Sequence, residues 1–190
     1  MKDFLHKYFT EIQTDDILTN YNGILEQMIT EQESKRTSKQ YKTAKTRILD
    51  RIAFYLSIRK YLDDDKALEY AKEYYYSKTT KMSNFMKKVG KSTIGCILFK
   101  KAFVSGLKAD TWVTNSIQND NKGLNFNITK CLYKDLCDYY KCPNLCKMFC
   151  DGDWLMFGKM EKLKFSREYT LGYGDDVCDF HFKNTKNKMG

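Results

Sequence analysis

The chain has 190 residues, 42% of them hydrophobic, and a formal net charge of +9. This hydrophobic content can build a folded core, which argues against disorder. No apolar run reaches the roughly 20 residues that cross a bilayer. The absence of such a run leads us to expect no membrane partner. The positive charge would suit a nucleic-acid partner, but lysines are scattered and arginines scarce, so we expect no nucleic-acid partner either.

The N-terminus and the cysteines indicate the compartment. Charges interrupt the apolar residues of 1–9, which predicts an amphipathic helix and not a signal peptide. Seven cysteines form an odd set whose spacing matches no small disulfide scaffold. We therefore expect reduced thiols and a cytoplasmic protein.

Up to residue 108 the pattern is helical. Apolar residues recur at helical spacing over 17–29 and 48–62. Asp65 is the predicted cap of a third helix. The segment from Ser83 to about Leu107 is the most apolar of the chain, so we predict that it forms the buried central helix.

After residue 108 the period changes to two, which predicts strands. The predicted strands fall near residues 112–117, 124–128, 162–170 and 177–183. The first two form a hairpin around the turn at 119–123. Between the second and third, Cys131 to about Met148 returns to helix, with Pro143 at a first helical position.

Together these elements predict an α+β fold: an N-terminal helical bundle packed on a C-terminal antiparallel sheet of about four strands, which a helical pair interrupts. We expect one domain over residues 1–190. Residues 1–108 form its helical half, 109–185 form the half that contains the sheet and the site, and 186–190 form a tail.

Three short segments in the last third carry the reactive side chains. They are Phe149–Trp154, Arg167–Gly172 and Gly174–Phe182. Each alone is a weak signal, because cysteine is common in protein cores and Asp-Gly-Asp is common in turns. Their order along the chain is more informative than any one of them.

Taken in order, these segments resemble the C-terminal signature of the L-2-amino-thiazoline-4-carboxylic acid hydrolase family. The matching residues are Cys131, Cys150 with Asp153, Arg167 with Thr170, and Gly174 with the run Cys178–Phe182. The resemblance covers about residues 110–185, and in the N-terminal half only the helical character fits. The Gly-x-x-x-Cys-x-Phe ending also resembles vinyl-reductase-type small-molecule-binding domains.

Strand geometry sorts these candidates, because residues two apart share a face. Cys178 shares its apolar face with Phe180 and Phe182, so a dyad of Cys178 with His181 is not expected. Arg167 ends an apolar row, which leaves three interpretations: it extends to solvent, meets a buried carboxylate, or clamps a substrate carboxylate.

The resemblance implies hydrolysis of a small cyclic isothiourea carboxylate to an N-carbamoyl amino acid. We predict Cys150, Asp153 and Cys178 as catalytic residues. We predict that Arg167, Asp151 and Thr170 bind the substrate. We expect no cofactor and no metal, a small-molecule carboxylate as ligand, and allow for a homodimer.

Structural roles compete with these assignments. Cys142, Cys146 and Cys150 follow at four-residue steps, as small core residues on one helix face do. Asp151-Gly152-Asp153 is equally typical of a polar turn that ends a helix. A zinc site from Cys131, Cys150 and Cys178 is a further alternative, although Cys-x-x-Cys is absent. A non-catalytic ligand-binding module and an interaction protein that uses tyrosines of the helical half also compete with the hydrolase.

Overall fold

The computed structural model describes residues 1–107 and 110–185. Helices occupy the N-terminal part and a four-stranded antiparallel sheet the C-terminal part, so the predicted α+β fold is confirmed. The predicted tail, 186–190, lies outside the described residues. The single-domain division stays a prediction.

Six helices precede the sheet. Their bounds are α1 Lys2–Leu5, α2 Glu11–Glu33, α3 Ser38–Arg47, α4 Leu49–Ile58, α5 Asp64–Lys91 and α6 Thr93–Leu107. Threonines cap two of them: Thr10 starts α2 and Thr37 starts α3, each accepting a backbone N–H in the first turn. The cap of α5 is Asp63 and not the predicted Asp65, because Asp63 has the extended backbone that a cap requires and accepts the Lys66 N–H at 2.8 Å.

The buried central helix is α4, and the prediction of a central helix over Ser83–Leu107 is wrong. Seven of the ten residues of α4 are buried, and α2 and α5 contribute Ile17 and Ala71 to the same core. The segment 83–107 divides at Ser92, where the backbone is extended. Its second part, α6, leaves several large apolar side chains in solvent.

The sheet is built from β1 Trp112–Asn119, β2 Gly123–Cys131, β3 Leu163–Ser166 and β4 Cys178–Asn184, in the order β1-β2-β4-β3. All three neighbouring pairs are antiparallel. The predicted hairpin and the predicted fourth strand are confirmed. Between β2 and β3 lie α7 Leu132–Tyr139, a 3₁₀ turn at Pro143–Leu145 and α8 Cys146–Phe157, the predicted helical pair.

The third strand is shorter than predicted, because it ends at Ser166 instead of Thr170. Beyond Ser166 the backbone N–H groups of Glu168 and Tyr169 donate to the Asp179 carboxylate and not to a strand. Arg167 and Thr170 therefore belong to a loop beside the sheet. A second 3₁₀ turn, Leu171–Tyr173, follows.

Two apolar cores flank the site. One contains α4 with the buried cysteines of α7 and α8, and the other lies on one face of the sheet around Phe126, Phe165 and Phe182. The start of α8 contributes Cys150 to the first core and its end contributes Phe157 to the second. None of the helices within residues 1–107 and 110–185 combines the length and the apolarity needed to cross a bilayer.

Candidate active site

Helix α8 carries the first segment of candidate residues. Asp151, Gly152 and Asp153 lie inside this helix, so the alternative of a polar turn after its end is wrong. The helical spacing of three places Cys150 and Asp153 on adjacent positions of one side. Both can therefore face the loop that follows β3.

Arg167 in that loop forms an ion pair with Asp153. Its Nη1 lies 2.5 Å from Asp153 Oδ2, and its Nη2 donates to the Cys150 carbonyl oxygen at 2.8 Å. Only 3% of the Arg167 side chain is exposed, and the guanidinium carbon lies 5.3 Å from the centre of the Phe180 ring. Of the three interpretations of Arg167, the structure shows the contact with a carboxylate.

One donor of Arg167 is left over. Its Nε is buried and has no hydrogen-bond acceptor among the described residues. A buried N–H without an acceptor is costly, and such groups are uncommon in folded proteins. Within the part of the chain that the structure describes, this N–H therefore stays unpaired.

The Asp153 carboxyl has a raised pKa. Burial raises its pKa to about 6 from 3.8, although the adjacent Arg167 acts in the opposite direction. The side chain is not fully enclosed, because 30% of its surface is exposed. A carboxyl that titrates near neutral pH and remains accessible is suited to proton transfer.

The two predicted catalytic thiols are buried, and the charges of Arg167 and Asp153 both act on the pKa of the Cys178 thiol. A hydrogen bond with Cys146 and burial raise the pKa of Cys150. Burial raises the pKa of Cys178, while the Leu171 N–H, which donates to its sulfur at 3.3 Å, and the charge of Arg167 act against that shift. Both groups are therefore protonated thiols at neutral pH.

Thr170 and Gly172 bring the loop onto the sulfur atoms of α8. The Thr170 hydroxyl acts to lower the pKa of Cys150, against the larger effects of Cys146 and burial. A β-carbon on Gly172 would lie 2.6 Å from Cys150 Sγ and 3.2 Å from Cys146 Sγ. The glycine is needed for this close approach, because any side chain would collide with the two sulfur atoms.

Replacing Gly172 with alanine is expected to lower the free energy of unfolding by about 1–3 kcal/mol, because the added methyl overpacks the sulfur atoms. In a Cys150→Ala background the obstructing sulfur is gone, so the cost should shrink. Gly23→Ala, at an open position in α2, serves as a control and should stabilise by up to about 1 kcal/mol. Urea unfolding of the four variants measures the coupling, and equal costs in both backgrounds would contradict the contact.

Asp179 orders the loop and was missed as a site residue. Its carboxylate accepts the backbone N–H groups of Glu168 and Tyr169, at 3.1 and 2.6 Å, and it lies 3.1 Å from His181 Nε2. As expected from the alternation of β4, His181 does not share a face with Cys178. The signal that could have identified Asp179 is a carboxylate next to an apolar strand face, which needs several donors when buried.

Asp151 lies at the exposed rim of the site. Its two carboxylate oxygens accept hydrogen bonds from Lys72 Nζ at 2.7 Å and from the Tyr173 hydroxyl at 2.8 Å. Within residues 1–107 and 110–185, no group of three His, Cys, Asp or Glu side chains is arranged to hold a metal ion. The structure thus brings Cys150, Asp153, Arg167 and Cys178 to one place.

A family model described as L-2-amino-thiazoline-4-carboxylic acid hydrolase matches residues 41–182, which is more than half of the chain. The chain therefore belongs to this family, as the C-terminal signature predicted. The match extends well before residue 110, where the resemblance began, and includes α4 to α6. Comparisons with curated proteins and with solved structures give no match.

Proposed function

We propose that the protein is a hydrolase that opens a small cyclic sulfur- and nitrogen-containing carboxylate, such as 2-aminothiazoline-4-carboxylate, to an N-carbamoyl amino acid. The family supports hydrolase chemistry on an aminothiazoline carboxylate. The observation that carries the proposal is the pair of Asp153, whose pKa is about 6, and Arg167, beside two protonated thiols.

Asp153 is the proposed general base. Arg167 occupies its Oδ2, and its Oδ1 accepts no hydrogen bond from the described residues. At neutral pH the carboxylate removes a proton from water, whose oxygen adds to the ring carbon between sulfur and nitrogen. The electron pair of the carbon–nitrogen double bond moves onto the ring nitrogen, which takes the proton from Asp153, so the carboxylate is regenerated. The bond from that carbon to sulfur then breaks, and the electron pair leaves on the sulfur as a thiolate.

The thiols are better suited to donate a proton than to attack. A nucleophilic cysteine needs a lowered pKa, whereas burial raises that of Cys178. We propose that Cys178, with Cys150 beside it, protonates the departing sulfur. As the carbon–sulfur bond breaks, the hydroxyl on that carbon becomes a carbonyl and gives its proton to Asp153, which passes it to Cys178 and restores the thiol. The overall reaction therefore consumes one water.

Substrate binding is proposed for the polar groups around this pair. The positive charge of Arg167 attracts the substrate carboxylate to this place, although both of its Nη atoms are already engaged and its Nε is buried. Asp151 at the rim can accept hydrogen bonds from the ring amidine, and Thr170 supplies a hydroxyl. Substrates without a carboxylate are then bound more weakly.

A thiol-release assay with the full chain tests the proposal, using 2-aminothiazoline-4-carboxylate and the same ring without its carboxylate. We expect turnover of the carboxylate only, above the blank from the protein's own cysteines. Cys178→Ala should reduce turnover about 100-fold, as loss of a proton donor does. Cys142→Ala, a buried thiol in the core, is the matched control.

Absence of turnover with the carboxylate and its close analogues would contradict the proposal and favour the non-catalytic binding module. One observation supports that second candidate. A cleft of about 520 Å³ is lined by Phe99, Phe103 and Trp112, with Lys42 and Arg47 at its side. Calorimetry with aromatic carboxylates, comparing wild type with Arg47→Gln, would then identify its ligand class.

A further inference from the structure

A groove of about 1150 Å³ lies between the first half of α6 and one end of the sheet. Six lysines line it: Lys100, Lys101, Lys122, Lys162, Lys164 and Lys183. The single carboxylate residue in the lining is Asp120, whose Oδ1 already accepts the backbone N–H groups of Lys122 and Gly123. The groove is therefore strongly positive.

This positive charge is not balanced within the described part of the chain. None of the six lysines forms an ion pair there, although seven other lysines do. Lys164 and Lys183 are direct cross-strand partners, and like charges in that position destabilise a sheet. Lys100, only 7% exposed, is fixed at the floor by a 2.7 Å hydrogen bond to the Asp120 carbonyl oxygen.

An apolar stripe on α6 borders the groove. Ile94, Ile97 and Leu98 follow at i, i+3 and i+4, which places them on one side of the helix. They are 70%, 45% and 60% exposed, and Ile97 also lines the groove. Three adjacent exposed aliphatic side chains mark an interaction surface more often than single ones do.

We propose that the α6 stripe and the lysine groove dock this protein on the surface of an anionic lipid bilayer. The lysines attract lipid phosphates and carboxylates, and the aliphatic stripe enters the boundary of the acyl chains. A nucleic acid or a soluble polyanion would use the lysines and leave the stripe in water. An anionic bilayer uses both the charge and the apolar surface.

Docking of this kind requires no spanning helix, so it is compatible with the helices described above. It goes beyond the expectation of no membrane partner, which rested on the absence of a long apolar run. The proposal is independent of the hydrolase chemistry, because the groove and the candidate active site share no residue.

Co-sedimentation of the full chain with vesicles tests the proposal. Wild type should bind phosphatidylcholine vesicles that contain phosphatidylserine but not pure phosphatidylcholine, and added salt should weaken binding. Lys164→Gln with Lys183→Gln should weaken it about 25-fold, at about fivefold for each lysine. Ile94→Ser with Leu98→Ser should weaken it at least about tenfold.

A matched pair of variants controls for net charge. Lys7→Gln with Lys39→Gln removes the same charge from exposed positions outside the groove and should change binding less than about twofold. Equal losses in the two lysine pairs would overturn the proposal. Failure of the wild type to sediment with vesicles would also overturn it, as would tighter binding to an oligonucleotide or inositol hexakisphosphate than to vesicles. A dimer in ultracentrifugation that only the Ile94→Ser and Leu98→Ser variant disrupts would do the same.

Discussion

Replacing Asp153 with asparagine is expected to reduce kcat/KM for the proposed ring opening by about 10²- to 10⁴-fold, the usual contribution of a general base. Asparagine keeps the shape and can still accept a hydrogen bond from Arg167, so the fold should persist. Asp176→Asn, an exposed carboxylate nearby, is the control and should retain activity. Full activity of Asp153→Asn would exclude the carboxylate as base.

The pH dependence supplies a second measurement for Asp153. A base with a pKa of about 6 is protonated below that pH, so kcat/KM of wild type should fall as the pH drops through 6. The free energy of unfolding depends on pH in the opposite direction. The folded pKa lies above the ordinary 3.8, so the contribution of this group is fully present below 3.8 and is lost as the pH rises through about 6. Asp153→Asn should remove this dependence.

Arg167→Met should lower the free energy of unfolding by about 3–5 kcal/mol, because the guanidinium is buried and its loss leaves the partly buried Asp153 carboxylate without its cation. The matched control is Arg59→Met. Arg59 Nε lies 2.6 Å from Asp64 Oδ1, but the side chains are 34% and 46% exposed, so this loss should be less than about 1 kcal/mol. Denaturant unfolding at neutral pH compares the two variants.

Arg167→Met should also shift the pH dependence of activity, an effect that a purely structural role of Arg167 would not produce. Without the guanidinium charge, the pKa of Asp153 should rise further, and the acid limb of the activity profile should move to higher pH. Two results would contradict the proposed coupling of Arg167 with Asp153. One is an equally small loss of unfolding free energy in Arg167→Met and Arg59→Met, and the other is an activity profile whose acid limb stays at the same pH.

The periodic elements could be predicted from the sequence, because burial on one side imposes their spacing. The hairpin and the fourth strand follow from the alternation of Trp112–Ile117, Leu124–Ile128 and Val177–Lys183. The end of β3 could not be predicted in this way. Leu163 to Tyr169 keeps the alternation, and only the carboxylate of Asp179 shows where the ladder stops.

The family signature led us to expect that the candidate residues lie close together. It did not predict the ion pair of Asp153 with Arg167. Asp153 lies in a segment that was equally typical of a turn, so nothing identified it as the partner of Arg167. The apolar composition of α6 was likewise not enough to predict whether the helix is buried. Ile94 and Leu98 make the helix apolar, yet no neighbouring element among the described residues covers them.

The family match begins at residue 41, inside α3, but the helical core also includes residues that precede this point. Ile17 and Met28 of α2 are buried in the same core as Ile52 of α4. The region that the family model matches therefore ends, on this side, in the middle of a packed interior. A relative that lacked an equivalent of α2 would have to cover α4 with another helix or with a second subunit.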